Sequence, residues 1–217
     1  MALSFDLYFS IRSPYSYFAV ELVKRITDKY DVVATHRPVY PIAIRTPDFF
    51  KKVDRRYRPY QMNDCIRVAA FHDIPYRRPV PDPIRQNLET YELEATHPLA
   101  ERLTKLAVAA SLKGRGGEFA LQVMRLLWDG KTDDWDKGLR LKFAAARAGL
   151  DLDELEAMLT HEPPRIEAEL ERNHQDHGNA GHWGVPVSVF EGEPFFGQDR
   201  LDVLVWRMKQ KGLKQRG

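Results

Sequence analysis

The chain has 217 residues, enough for a sizeable core in one domain with an insertion or in two small domains. Its 43% hydrophobic and 29% charged residues are those of an ordinary soluble globular protein, and a net charge of +2 lacks the basic excess of a nucleic-acid-binding protein. No apolar run approaches the roughly 18 residues a membrane span needs. The start, Met1-Ala2-Leu3-Ser4-Phe5-Asp6, does not read as a secretory signal, and a single cysteine, Cys65, excludes an internal disulfide and fits a reducing cytoplasm.

The run Leu3-Ser4-Phe5-Asp6-Leu7-Tyr8-Phe9 alternates and predicts a strand. From Tyr17 to Tyr30, Ala19, Leu22, Val23 and Ile26 recur at helical spacing. Between them stands Ser13-Pro14-Tyr15-Ser16. Pro14 suits a first helical position, which makes Ser13 the natural N-cap. Asp31 to Pro38 predicts a second strand, parallel to the first in a βαβ unit, and Val39 to Ile44 continues it as an extended apolar stretch. Arg45 to Arg58 is basic and reads as a solvated face or mobile loop.

Tyr60 to His72 predicts a helix with Met62, Cys65, Ile66, Ala69 and Ala70 on one side. The proline-rich segment Ile74 to Pro83 reads as a fixed crossing loop. Helical periodicity then runs from about Pro98 to Gly181, broken near Lys113-Gly117, Asp129-Asp136, Gly149-Asp151 and Glu162-Pro164. Val185 to Phe190 and Pro194-Phe195-Phe196 predict a hairpin turned at Glu191-Gly192-Glu193. Gly197-Gln198-Asp199-Arg200 opens a last helix, with Asp199 in its first turn. The order βαβ, helices, ββα is an α/β thioredoxin-like fold interrupted by a helical insertion: residues 1–44 and 182–217 form the thioredoxin-like part, and 45–181 the mainly α-helical insert.

In this fold the start of the first helix faces the loop before the third strand, Trp183-Gly184-Val185-Pro186. Two readings stand there: a cis Val185-Pro186 bond that turns the Val185 N–H and C=O outward, or a trans proline opening a strand. A helix start at Ser13 favours an anion, by its free N–H groups and dipole, although Ser13 also reads as an ordinary cap. Together with Val185 and the helix start at Gln198-Asp199, the set matches a γ-glutamyl tripeptide: thiol on Ser13, cysteinyl backbone on Val185, γ-glutamyl end at Asp199.

Ser13-Pro14-Tyr15-Ser16, Trp183-Gly184-Val185-Pro186 and Phe195-Phe196-Gly197-Gln198-Asp199-Arg200-Leu201 resemble the 2-hydroxychromene-2-carboxylate isomerase family, close to kappa-class glutathione transferases in the DsbA-like branch of the thioredoxin fold. The resemblance covers nearly the whole chain, sharp at both ends and loose in the helical middle. It implies glutathione as cofactor, held by Ser13, Pro14, Tyr15, Val185, Pro186, Phe196, Gly197, Gln198 and Asp199, with Ser13 activating its sulfur. It also implies a small aromatic carboxylate as substrate, contacted by Pro41, Ile42, Tyr60, Asn63 and Asn87, and a homodimer. The reaction implied interconverts the chromene and trans-o-hydroxybenzylidenepyruvate by reversible thiolate addition, bond rotation and elimination. Arg45, Arg55 and Arg58 are candidates for the pyruvate carboxylate.

Two departures stand out. Arg45-Thr46-Pro47-Asp48 replaces a family glycine and asparagine, and Asn87 lies further from the Pro79-Pro83 loop than in relatives. Ser13 and Ser16 occupy the positions of the DsbA Cys-x-x-Cys, so dithiol chemistry is lost while the thiol-stabilising field remains. A hydrogen bond to a charged group is worth ~1.5–3 kcal/mol and a pKa unit about 1.4 kcal/mol, so a bound thiol would drop by about one to two units. A glutathione transferase or peroxidase, and a non-catalytic glutathione-binding module, are the alternatives. His174, His177 and His182 read as a polar helix end rather than a metal site, Cys65 as a small buried residue, and Trp128 and Trp135 as core and loop anchors.

Overall fold

The computed structural model describes residues 2–87, 90 and 92–217. Strand β1 (Leu3–Phe9) is central and pairs in parallel with β2 (Val32–Pro38), from Leu3 opposite Val32 to Phe9 opposite Pro38. On its other side it pairs antiparallel with β3 (Val187–Phe190), which forms a hairpin with β4 (Glu193–Phe196), giving the order β2-β1-β3-β4. Helix α1 (Pro14–Lys29) returns the chain between β1 and β2. Its inner face buries Tyr17, Phe18, Ala19, Val20 and Val23, with Leu22 and Ile26 half-buried beside them.

Two expectations for the segment after β2 are corrected. Val39 to Ile44 is not extended throughout: Pro41 starts a single helical turn, α2 (Ile42–Arg45), its carbonyl accepting from the N–H groups of Ile44 and Arg45. The basic stretch is structured, with a second short turn, α3 (Phe49–Lys52), whose Phe50 is buried, before α4 (Tyr57–His72). Lys51, Lys52, Arg55 and Arg56 are exposed as a solvated face predicts. In α4 the buried face is Arg58, Cys65 and Ala69, whereas Met62 and Ile66 are exposed, Met62 at the edge of a cavity. The helix is rotated by about one residue relative to its apolar pattern: Cys65 and Ala69 join the core, while its first turns face a partly polar cavity.

Five helices follow: α5 (Pro98–Leu112), α6 (Gly116–Trp128), α7 (Arg140–Arg147), α8 (Leu152–His161) and α9 (Pro163–Asn179). Among the described residues one apolar core runs from the sheet (Phe5, Leu7, Phe9) through α1 into α5 and α6 (Leu106, Phe119, Met124) and on to α8 and α9. Buried Glu21 of α1 takes both Nε and Nη2 of Arg125 on α6, at 2.5 and 2.7 Å, tying helix to insert. Gly197 at φ +103° starts the turn into α10 (Leu201–Gln210). No helix of the described residues is long and apolar enough to cross a membrane.

Candidate active site

The turn after β1 is knitted by serines. Ser13 N–H donates to the Ser10 carbonyl at 3.0 Å, Ser10 N–H to Ser16 Oγ at 3.2 Å, and Ser16 N–H to Ser13 Oγ at 3.2 Å. Ser13 is thus the N-cap of α1, in extended backbone, with Pro14 at the first helical position. Accepting that bond leaves its own hydroxyl proton free to donate. Ser10 is 1% exposed, and its Oγ is buried without a partner.

Opposite lies the loop Trp183-Gly184-Val185-Pro186, and the Val185-Pro186 bond is cis. Histidines and one arginine hold it. His177 Nε2 lies 2.8 Å from the Gly184 carbonyl, and Gly184 N–H donates to His182 Nδ1 at 2.9 Å. Arg45 sends Nε to the Tyr40 carbonyl at 2.8 Å and both Nη groups to the Trp183 carbonyl at 3.2 Å. His174 Nε2 accepts from Tyr40 N–H at 3.0 Å. Burial lowers the pKa of all three histidines, so they stand neutral at pH 7. They brace the loop as hydrogen-bonding side chains, and no group of metal-ligating residues forms among the described residues. Gly184 is needed here, since a Cβ would fall 2.5 Å from the Phe196 ring. Gly197 N–H reaches the Pro186 carbonyl at 2.9 Å, while the N–H and C=O of Val185 have no partner among the described residues.

Between turn and loop is a cavity of about 270 Å³. Ser13, Pro14, Tyr15, Pro41, Ile42, Val185 and Phe196, all expected from the sequence, line it together. Pro186 is buried behind Val185; Gly197, buried Gln198 and exposed Asp199 follow Phe196 without lining the cavity, and the Asp199 carboxylate pairs with Arg200 at 3.2 Å. Three expected substrate contacts are corrected. Tyr60 and Asn63 are exposed on the outer face of α4, which presents Tyr57, Arg58, Gln61, Met62 and Cys65 to the cavity instead. Asn87 is exposed in a turn, its Oδ1 accepting from Thr90 N–H at 3.0 Å and its N–H donating to the Glu92 carbonyl at 2.9 Å.

The rest of the wall is aromatic and cationic. Phe49, Phe50, Tyr57, Tyr76 and Trp128 line it, with Tyr76 stacked on Trp128 at 6.0 Å and 8°. Four arginines reach it, Arg12, Arg45, Arg58 and Arg78, and among the described residues no aspartate or glutamate does. Arg55 is exposed elsewhere. Behind the wall, Asp82 takes Arg12 Nε and Nη2 at 3.1 and 3.2 Å, Arg78 Nη2 at 2.7 Å and Ile84 N–H at 3.0 Å. Burial alone would raise the Asp82 pKa, but Arg12, the Ile84 N–H and Arg78 outweigh it and hold the carboxyl ionised. Tyr15 donates its hydroxyl to Asp64 at 2.8 Å, and burial, then that bond, raise its pKa far above the usual phenol value. Cys65, 1% exposed, also faces the cavity; burial pushes its thiol up to about 11, so it stays protonated. Trp128 and Trp135 are anchors as expected, donating to the carbonyls of Ile11 at 2.9 Å and Pro81 at 2.7 Å. Of the four arginines, Arg45 and Arg58 were carboxylate candidates in the sequence; Arg12 and Arg78 were not, because they stand in the turn after β1 and in the crossing loop, far from both in the chain. The one local signal was Arg12 standing directly before the Ser13 cap.

Residues 5–209 match the DSBA-like thioredoxin domain family. The chain belongs to that family. Its fold is similar to that of a 2-hydroxychromene-2-carboxylate isomerase: 17% identity, TM-score 0.73, over 96% of this chain and 95% of the other. It is also similar to a probable DsbA oxidoreductase from Streptomyces coelicolor, at 17% identity and TM-score 0.68, over 96% and 89% of the chains. The cytosolic disulfide reductase DsbM from Pseudomonas aeruginosa, solved with GSH, matches at 15% identity and TM-score 0.58, over 95% and 100%. At these identities the likeness shows the fold. No curated protein matches the chain in sequence.

Proposed function

We propose that this DSBA-like protein is a glutathione-dependent isomerase of 2-hydroxychromene-2-carboxylate type, acting on a small aromatic carboxylate. One observation carries the reading. A capping hydroxyl at the start of α1 and the unpaired main chain of Val185 share a single cavity whose remaining wall is aromatic and cationic. The residues present fit glutathione. Ser13 Oγ–H and the unpartnered Tyr15 N–H are donors for a sulfur anion, and Val185 offers one donor and one acceptor to a peptide.

Bound glutathione supplies a thiolate that adds to and leaves an unsaturated carbon. Ser13 donates to the sulfur and favours its charged form by about one to two pKa units, as a hydrogen bond of ~1.5–3 kcal/mol allows. It does not act as a nucleophile, since no histidine among the described residues bonds to it. Cys65 remains a neutral thiol and Ser13 and Ser16 form no disulfide, so the site is not a dithiol centre. The aromatic wall excludes water and stacks a planar ring.

A kappa-like transferase or peroxidase outcome is the second reading. It is favoured by the absence of Tyr60, Asn63 and Asn87 from the cavity, since these were the contacts expected for the chromene. The test is a titration of the protein with glutathione near neutral pH, following ultraviolet thiolate absorption in wild type and Ser13→Ala. A band that vanishes in the variant supports activation by Ser13; no band and no binding in wild type overturn both readings. Adding the aromatic substrate separates them, because an isomerase regenerates glutathione and a transferase or peroxidase consumes it.

A further inference from the structure

We infer that Arg78 is the residue that recognises the carboxylate of the aromatic substrate. The assignment rests on taking this cavity as the substrate site, and it differs from what the sequence points to. Of the sequence's candidates, Arg55 is off the cavity, Arg45 is committed to the carbonyls of Tyr40 and Trp183, and Arg58 is bonded to Gln86. Arg12 is 12% exposed and closes a two-bond pair with Asp82. Arg78 is different. It spends only Nη2 on Asp82, and its Nε and Nη1 have no partner among the described residues.

Charge counting leads to the same residue. Asp82 already accepts four donors on two oxygens, and one carboxylate cannot neutralise two guanidinium groups. Arg12 answers it with two bonds, so the surplus charge falls to Arg78. Asp64 of α4 is engaged by the Tyr15 hydroxyl and does not line the cavity. Arg78 is held in place by Asp82, beside the stacked Tyr76–Trp128 pair. A planar ring against Tyr76 and a carboxylate on the remaining edge of the Arg78 fork would use both features at once.

The experiment uses trans-cinnamate and its uncharged isostere cinnamamide, titrated without glutathione, with tryptophan fluorescence as readout because Trp128 and Trp183 line the cavity. Wild type is expected to prefer cinnamate roughly tenfold. Arg78→Met removes the preference while cinnamamide binding persists; Asp82 keeps Arg12 and Ile84, so the loop retains its anchor. Arg78→Lys keeps the charge but not the fork, and reduces the preference to about threefold. Equal binding of the two probes by wild type, or an undiminished preference in either variant, overturns the assignment. If glutathione fails to bind but the Arg78-dependent preference holds, the glutathione reading fails and this one stands. If glutathione binds and no preference appears, the reverse follows.

Discussion

The two sides of the cavity are built in different ways. The side proposed for glutathione is built on main-chain features: a capped helix start at Ser13 and the Val185 edge. The side proposed for the substrate is made mainly of side chains from α3, α4 and the crossing loop, with Arg12 and Trp128 beside them and an ion-paired Asp82 behind. The first side offers groups that any thiol peptide can use. On the proposed reading the second selects what is brought to the thiol, and it is where a member of this family would change its substrate without changing its fold.

The largest expected effect breaks the side-chain wall alone. Trp135 is fully buried and donates to the Pro81 carbonyl, pinning the loop that carries Arg78 and Asp82. Trp135→Ala is expected to cost about 3–5 kcal/mol in denaturant unfolding. In whatever fraction stays folded, the preference for an aromatic anion falls more than glutathione affinity. Equal loss of both would show that the two sides are one unit. Next comes Arg45→Met, which attacks the main-chain side. It frees the carbonyls of Tyr40 and Trp183 from a charged donor, at about 1.5–3 kcal/mol, and glutathione affinity is expected to fall roughly tenfold. Isothermal titration of wild type and variant checks it.

A smaller effect comes from pH. His174 and His182 accept backbone N–H bonds through an unprotonated nitrogen, and burial depresses both values and that of His177 below the ordinary 6.5. The unfolded chain therefore binds protons first. Stability from this brace is complete above about pH 6.5 and is lost as pH falls through the depressed folded values. His36, half-buried at the edge of the sheet and pushed down to about 4 mainly by burial, loses stability over the same interval, between about 6.5 and 4. Denaturant midpoints at pH 7.5 and 5 are expected to differ in that sense. His182→Gln is expected to flatten part of the difference, and a midpoint that rises on acidification would contradict the brace.

What was legible in the sequence follows the same division. Main-chain devices leave local signatures: Ser-Pro at a strand-to-helix change, Gly-Val-Pro before a β-rich run, Gly-Gln-Asp-Arg after a hairpin. The structure brings Ser13, Val185 and Phe196 to one cavity. Side-chain walls leave none. Met62 and Ile66 continue the apolar pattern of α4 yet are exposed, Met62 at the cavity edge, while Arg58 is buried and bonded to Gln86. Tyr60 and Asn63 leave the cavity with that rotation, while Tyr57 and Gln61 enter it. Arg78 is one of two adjacent arginines in a proline-rich loop, and only the contact with Asp82 distinguishes it from Arg77, which pairs with exposed Asp133.

The smallest effect on stability is the most discriminating for Ser13, because two substitutions separate its two roles. As an N-cap it satisfies the Ser16 N–H at 3.2 Å. Replacing such a cap with alanine costs about 1 kcal/mol, and with glycine only a few tenths. As a donor to sulfur, its hydroxyl is lost equally in both variants. Ser13→Ala and Ser13→Gly should therefore differ in unfolding free energy yet raise the pKa of bound glutathione by the same one to two units, about 1.4–3 kcal/mol of thiolate stabilisation. If the thiol pKa instead tracked stability, with the glycine variant close to wild type, the serine would act on the ligand only through the helix it caps. The free end of α1 would then be the sole anion-stabilising element on the main-chain side.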